Sequence, residues 1–284
     1  MRIFNVLGIL FGSATFFLVS GCNSSPTNQI EVAKIQKQEI KVAGSSSTYS
    51  VAKILIDNYK EKNSTSKIKL LPPSQSEGAI ASVKQKIVNV GFLSRKLKPS
   101  EDNDSIKSQA LATDALIVAT HPSVTGIKDL NTSQLKAIYS GKITNWKQLG
   151  GKDAKIVVLD RPEDESAKKL LRKYYLGKDL KNAPDTVILR KEPELINSVE
   201  SVPHSIGAFS LGYAISSDSP VNRLSLNGIE PTAANIKAGK YQMVRQMGVV
   251  SGQRPSKETQ EFLDFIFSKQ GKDTLKANGF IPSK

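Results

Sequence analysis

Three short stretches hold the residues best equipped for chemistry: Gly44-Ser45-Ser46-Ser47-Thr48-Tyr49-Ser50, Ser74-Gln75-Ser76-Glu77-Gly78, and Arg161 followed by Glu165-Ser166. Each falls between a strand-like and a helix-like segment. A turn of glycine and serine at a helix start leaves backbone N–H groups free, adds hydroxyl donors and carries the positive end of the helix dipole. Those are the ingredients of an anion cradle. Arg161 closes the apolar run 155–159, and a guanidinium there can grip an oxyanion through two parallel hydrogen bonds. Taken singly, a serine or threonine at a helix start is more often a plain N-cap. Two serine-rich turns and a third carrying an arginine shift the balance towards anion binding.

Catalytic signatures carry less weight. Ser50-Val51-Ala52-Lys53 and Ser166-Ala167-Lys168-Lys169 both fit S-x-x-K, but two unrelated matches in a lysine-rich chain are what chance produces, and the companion S-D-N and K-T-G motifs are absent. Neither a phosphate-binding P-loop nor G-x-G-x-x-G occurs. Glu163-Asp164-Glu165 reads as a charged surface corner. His121 and His204 sit beside Pro122 and Pro203 as loop residues, and Cys22 is the sole cysteine. No metal site, disulfide, redox pair, cofactor or enzymatic activity is expected from these.

Cys22 has another use. Ahead of it lie one charge (Arg2), an apolar run over residues 3–19, and Ser20-Gly21. A charged start, a short apolar core and small residues before a cut describe a secretory signal rather than a membrane span. The ending Leu18-Val19-Ser20-Gly21-Cys22 resembles the bacterial lipobox, whose cysteine is acylated and becomes the first residue of the mature protein. Each buried acyl methylene contributes roughly 0.8 kcal/mol, so two or three chains hold a protein firmly at a bilayer. Beyond the signal the chain carries 39 basic and 26 acidic residues, a surplus that favours anionic partners. With few aromatics and an exported address, nucleic acid is the least expected of them.

The elements that must position these groups alternate. Strand patterns cover 39–43, 67–71, 88–93, 115–119, 155–159 and 241–250. Helical patterns cover 50–62, 76–87, 132–140 (stopping at Gly141), 165–176 (stopping at Gly177), 231–239 and 256–269. Such a βαβαβ rhythm predicts an α/β fold with a mostly parallel sheet covered by helices.

Several strings, in order, resemble the periplasmic phosphate-binding proteins (PstS-like) of phosphate ABC transporters: GSSSTYS (44–50), VGFLSRKLKPSE (90–101), YSGKITNWKQLGG (139–151), IGAFSLGYA (206–214), GIEPTAANIKAGKY (228–241) and FLDFIFSKQGKDTLKANGFIP (262–282). YSGKITNWKQLGG is the most specific of them. The resemblance implies a two-lobed periplasmic-binding-protein fold, each lobe a mostly parallel sheet flanked by helices, joined by crossing strands. The expected divisions are a signal at 1–21, a tether at 22–38, lobe one at 39–115 plus 247–284, and lobe two at 116–246. It implies an interlobe anion site built from Ser47, Thr48, Tyr49, Ser76 (or its neighbour Gln75), Ser94, Arg161, Glu165 and Ser166. Ser94 stands where some members have an aspartate that accepts the phosphate's proton. Where the family shows S-G-T after its arginine, this chain has Glu165-Ser166-Ala167. Glu165 then either accepts a proton from the anion or turns away to cap its helix. The implied protein is an extracytoplasmic, membrane-anchored monomer that binds inorganic phosphate and serves an ABC permease. The alternatives are another tetrahedral oxyanion (molybdate, tungstate or sulfate), or a sensor or adhesion module on the same fold. For the anchor, Cys22→Ala is expected to move the exported protein from the membrane pellet to the soluble fraction, as read by cell fractionation and detergent phase partitioning.

Overall fold

The computed structural model describes residues 38–284; the signal, Cys22 and the tether up to residue 37 lie outside the described residues. The chain opens with β1 (Ile40–Gly44), a 3-10 turn (Ser46–Thr48), α1 (Tyr49–Lys62), β2 (Ile68–Leu70), α2 (Ser76–Lys84) and β3 (Val90–Leu93). It continues through β4 (Ile106–Thr120), β5 (Asp129–Leu130), α3 (Thr132–Tyr139), a second 3-10 turn (Trp146–Leu149) and β6 (Val157–Asp160). Next come α4 (Ser166–Leu171) with a π-helical extension (Arg172–Leu176), β7 (Val187–Ile188), α5 (Glu192–Ser201), β8 (Ser205–Ser210) and α6 (Leu211–Ser216). The last part holds β9 (Asn222–Arg223), β10 (Ser225–Leu226), α7 (Ala233–Lys237), β11 (Val244–Gly252), α8 (Lys257–Phe267), α9 (Lys269–Ala277) and β12 (Ile281–Pro282).

Apolar spacing explains the early helices. In α1, Val51, Ala52, Leu55, Ile56 and Tyr59 are buried, and in α2 Ala79, Ile80 and Val83 are. Both sets follow the three-and-four spacing of a one-faced helix. The strands run in the order β2-β1-β3-β11-β4-β8-β6-β7. Pairing is parallel at either end, β2-β1-β3 and β8-β6-β7, and antiparallel through the centre, where β11 lies between β3 and β4 and β4 pairs with β8.

β4 is the longest element of the sheet. Its first part pairs with β11, and its second part, Leu116 to Thr120, pairs with β8. Periodicity marks only 115–119 because Lys107, Ser108, Gln109 and Ala110 are exposed; pairing with β11, not burial, holds that half extended. The apolar side chains divide along this strand. One cluster draws its buried members from Ala115 to Met243. Two others draw theirs from residues 40–112 and 247–280.

Residues 256–269 do not form one helix running to Lys269. Ser268 takes an extended conformation after α8, and its hydroxyl accepts the N–H of Gly271 to start α9. A serine that can cap competes with helix continuation. Gly271 fits only because a Cβ there would land on the carbonyl oxygens of Ile266 and Phe265. Gly271→Ala is therefore expected to lower stability by about 1–3 kcal/mol, the usual range for forcing a methyl into filled space, measured by urea denaturation.

Candidate functional site

β1 ends at Gly44, where a Cβ would come within 2.9 Å of the Thr48 hydroxyl. That close approach lets residues 45–48 turn tightly, and all four are buried. Ser45 N–H donates to the carbonyl of Phe92 (3.2 Å), Ser46 N–H to that of Ser74 (2.9 Å), and Thr48 N–H to that of Ser45 (2.9 Å). The Thr48 hydroxyl lies 3.1 Å from the carbonyls of both Ser45 and Phe92. Both polar groups of Thr48 thus serve the turn. Tyr49 begins α1 and is half-buried.

Ser76 starts α2, and its hydroxyl accepts the Ser94 N–H at 3.1 Å and sits 3.3 Å from the Ser94 hydroxyl. Gln75 instead donates to Asp164 across the gap, at 2.9 Å. The second turn and the end of β3 therefore meet at a pair of serines.

Arg161 follows β6 and is almost fully buried, its side chain 1% exposed. Its backbone is held by Asp160, whose carboxylate accepts the Arg161 N–H at 2.8 Å. The same carboxylate is ion-paired to buried Lys168 and accepts from Asn182 at 2.6 Å. Arg161 Nη2 donates to the Ser46 hydroxyl at 2.9 Å and is ion-paired with the Glu165 carboxylate at 2.8 Å. Its Nε and Nη1 are buried without a hydrogen-bond partner. Unpaired buried donors are costly and rare.

Glu165 occupies the N-cap position of α4 but makes no capping hydrogen bond. Of its two expected orientations, the inward one is adopted, because the Arg161 charge outweighs a backbone N–H. Ser166, the first residue of α4, lies 3.3 Å from the Ser47 hydroxyl and accepts from Arg245 Nη1 at 3.3 Å. A cavity of about 360 Å³ has Ser76, Ser94, Glu165, Ser166 and Arg245 on its wall. Arg161 stands one layer back, behind Glu165 and Ser46, while Ser47, Thr48 and Tyr49 are not on the wall. The wall carries four basic and three acidic side chains, so the chain's basic surplus is not concentrated there.

Four residues at the site escaped sequence reasoning: Ser46 as a partner of Arg161, and the buried set Asp114, Glu192 and Arg245. A signal existed for two of them, since Asp114 directly precedes the apolar run 115–119 and Arg245 is the one charge in the strand pattern 241–250. Burial raises the pKa of Asp114, the Arg245 charge opposes that rise, and neighbouring Glu192 adds to it. For Arg245, burial works against the charge, but Glu192 and Asp114 outweigh it and push its pKa up. By contrast, YSGKITNWKQLGG is structural. Tyr139 and Trp146 are buried core, Asn145 and Gln148 form a capping box, Gly150 takes a left-handed turn at φ 86°, and none of these residues lines the cavity.

A sheet whose two parallel ladders are joined by antiparallel strands through β4, with a cavity lined mostly by polar and charged residues beside it, defines a solute-binding α/β fold. Residues 26–270 match the model of the PBP superfamily domain. The "Phosphate-binding protein PstS" of Borreliella burgdorferi is 30% identical over 86% of this chain and 90% of its own length. That of Bacillus subtilis is 25% identical over 98% of this chain and 94% of its own. Among solved structures, a Clostridium perfringens protein with bound phosphate, described as a phosphate ABC transporter substrate-binding protein, superposes with a TM-score of 0.74 at 27% identity. It covers 87% of this chain and 100% of that one. The chain belongs to the PBP superfamily, and within it to the PstS phosphate-binding proteins.

One ion pair at the cavity edge is pH-sensitive. Arg95, on the wall, meets Glu101 with two parallel bonds of 2.7 and 2.6 Å and also reaches Glu77 at 2.9 Å. The Arg95 hydrogen bond, aided by the Lys98 N–H and opposed by burial, holds the Glu101 carboxyl down to about 2, against an ordinary value of 4.5. Folding therefore favours the ionised form. Its stabilisation is complete above pH 4.5 and is lost as the pH falls towards 2. Glu101→Gln is expected to cost about 1–2 kcal/mol at pH 7, a figure reduced for partial exposure, with the gap to the parent closing by pH 2; urea denaturation at both pH values measures it.

Proposed function

We propose that this protein is a lipid-anchored extracytoplasmic solute-binding protein that takes inorganic phosphate between two lobes, residues 39–115 plus 247–284 and residues 116–246, and delivers it to an ABC permease. No bond is made or broken. The names of its relatives support the ligand and the transport role, and the Cys22 segment supports the anchor.

The observation that carries the reading is the Arg161 guanidinium, buried with Nε and Nη1 lacking acceptors. Buried guanidinium donors without acceptors suit an anionic guest, because charge-assisted hydrogen bonds in a dry site are among the strongest polar contacts available. The Ser76 and Ser94 hydroxyls, 3.3 Å apart on the cavity wall, supply further donors. Thr48 acts through the turn it locks rather than by its own hydroxyl, and Ser47 and Tyr49 act through that same turn.

Glu165 sets the protonation state that is accepted. A carboxylate on the wall repels a fully ionised anion unless the guest brings a proton to share. Phosphate keeps one at neutral pH and sulfate does not. Arg161→Ala is expected to weaken phosphate binding about 100-fold or more, roughly 3 kcal/mol for a lost charge-assisted pair, in isothermal titration of the folded mature protein. Near-parental affinity would overturn the assignment, and displacement of bound phosphate by equimolar sulfate or molybdate would overturn the choice of anion.

A further inference from the structure

Arg161 is not alone at the junction. Arg245 projects from β11, which lies between β3 and β4 at the centre of the sheet, and its side chain is 2% exposed. Its Nε donates to Asp114 on β4 at 2.9 Å, and its Nη2 to Glu192, the first residue of α5, at 3.0 Å. Two further bonds are to neutral atoms. Nη2 reaches the Ser47 carbonyl at 3.3 Å, and Nη1 reaches the Ser166 hydroxyl at 3.3 Å. Backing bonds hold the carboxylates in turn: Ser210 Oγ and Gly212 N–H on Asp114, and Ser210 N–H on Glu192.

The two guanidinium groups grip neighbouring residues of the same two segments. Arg161 contacts Ser46 and Glu165, and Arg245 contacts Ser47 and Ser166. Ser46 and Ser47 belong to the turn after β1, whose strand packs with the clusters from residues 40–112 and 247–280; Glu165 and Ser166 start α4, which packs with the cluster from residues 115–243. A direct contact between the Ser47 and Ser166 hydroxyls, at 3.3 Å, joins the same segments.

We propose that Arg245 is a positioning residue that latches the two lobes shut around the anion, anchored permanently by Asp114 and Glu192 and engaging the Ser47 carbonyl only when the cleft is closed. The inference rests on the phosphate-binding reading and adds a device that retains the bound ligand. Relative strength decides which bonds persist on opening. A carboxylate adds an opposite charge to the guanidinium's hydrogen bond, which a carbonyl does not, and breaking a buried ion pair strands a charge, so the carboxylates keep Arg245 while the contact with Ser47 lets go. Arg245 is not itself an anion ligand, since two carboxylates against one guanidinium leave its cluster net negative. Because the latch and the anion favour the same closed state, each strengthens the other.

Arg245→Lys tests this. Lysine keeps a positive charge between Asp114 and Glu192 but lacks the fixed fork that also reaches the Ser47 carbonyl. The double variant Arg245→Gln/Glu192→Gln, which removes one charge of each sign, is the second arm should the lysine variant fold poorly. Phosphate association and dissociation are followed by stopped-flow fluorescence of a dye at the cleft edge, and compaction by small-angle scattering with and without phosphate. The latch predicts dissociation at least about tenfold faster, association within about twofold of the parent, and reduced phosphate-induced compaction. Parental dissociation rates, or weakened binding with full compaction, overturn it and leave the phosphate reading standing. Absence of phosphate binding by the unaltered protein overturns that reading, and the latch with it.

Discussion

A guanidinium keeps its proton at any pH a protein survives, so burying one obliges the fold around it to supply acceptors. Arg161 imposes that obligation here. Asp160 pins its backbone, and Lys168 and Asn182 hold Asp160 in place. The turn at 45–48 brings Ser46 to one of its nitrogens, and the start of α4 brings Glu165 to the same one. The remaining donors are left without acceptors. In the proposed function a guest anion completes those donors.

The sheet makes this convergence possible. Parallel ladders at both ends place turn after turn at the same edge, the general reason ligands gather at the carboxyl ends of strands. The antiparallel pair β4 and β11 then stitches the two ladders together. A strand shared by both halves can flex at its middle without losing its pairing at either end. The register shift in β11 between Met247 and Gly248 interrupts the ladder within that shared region, two residues from Arg245.

Much of this was legible before folding. The serine-rich turns, Arg161 and the helix starts at residues 76 and 166 follow from short-range rules, because caps, turns and amphipathic stripes depend on residues a few positions apart. Some readings of local pattern needed correction. The first half of β4 and the break at Ser268 were missed because sheet pairing and capping outweighed periodicity there. The most family-specific string, 139–151, turned out to be packing and turn chemistry. A motif can be distinctive because its backbone must bend in one way, with no part in the chemistry.

The order of residues alone determined the alternation of strand and helix and the places of the serine-rich turns and Arg161 at the starts of helices. It left open which way Glu165 points and which groups surround Arg245, and it pointed to the Thr48 hydroxyl as a ligand donor, whereas that hydroxyl is spent on the Ser45 and Phe92 carbonyls. Asp114 and Glu192 lie 131 and 53 positions from that arginine, and no spacing rule reaches so far. Such partners are fixed by which strands lie side by side and how their ladders register. That is a property of the assembled sheet, where long-range burial and charge pairing overrule local preference.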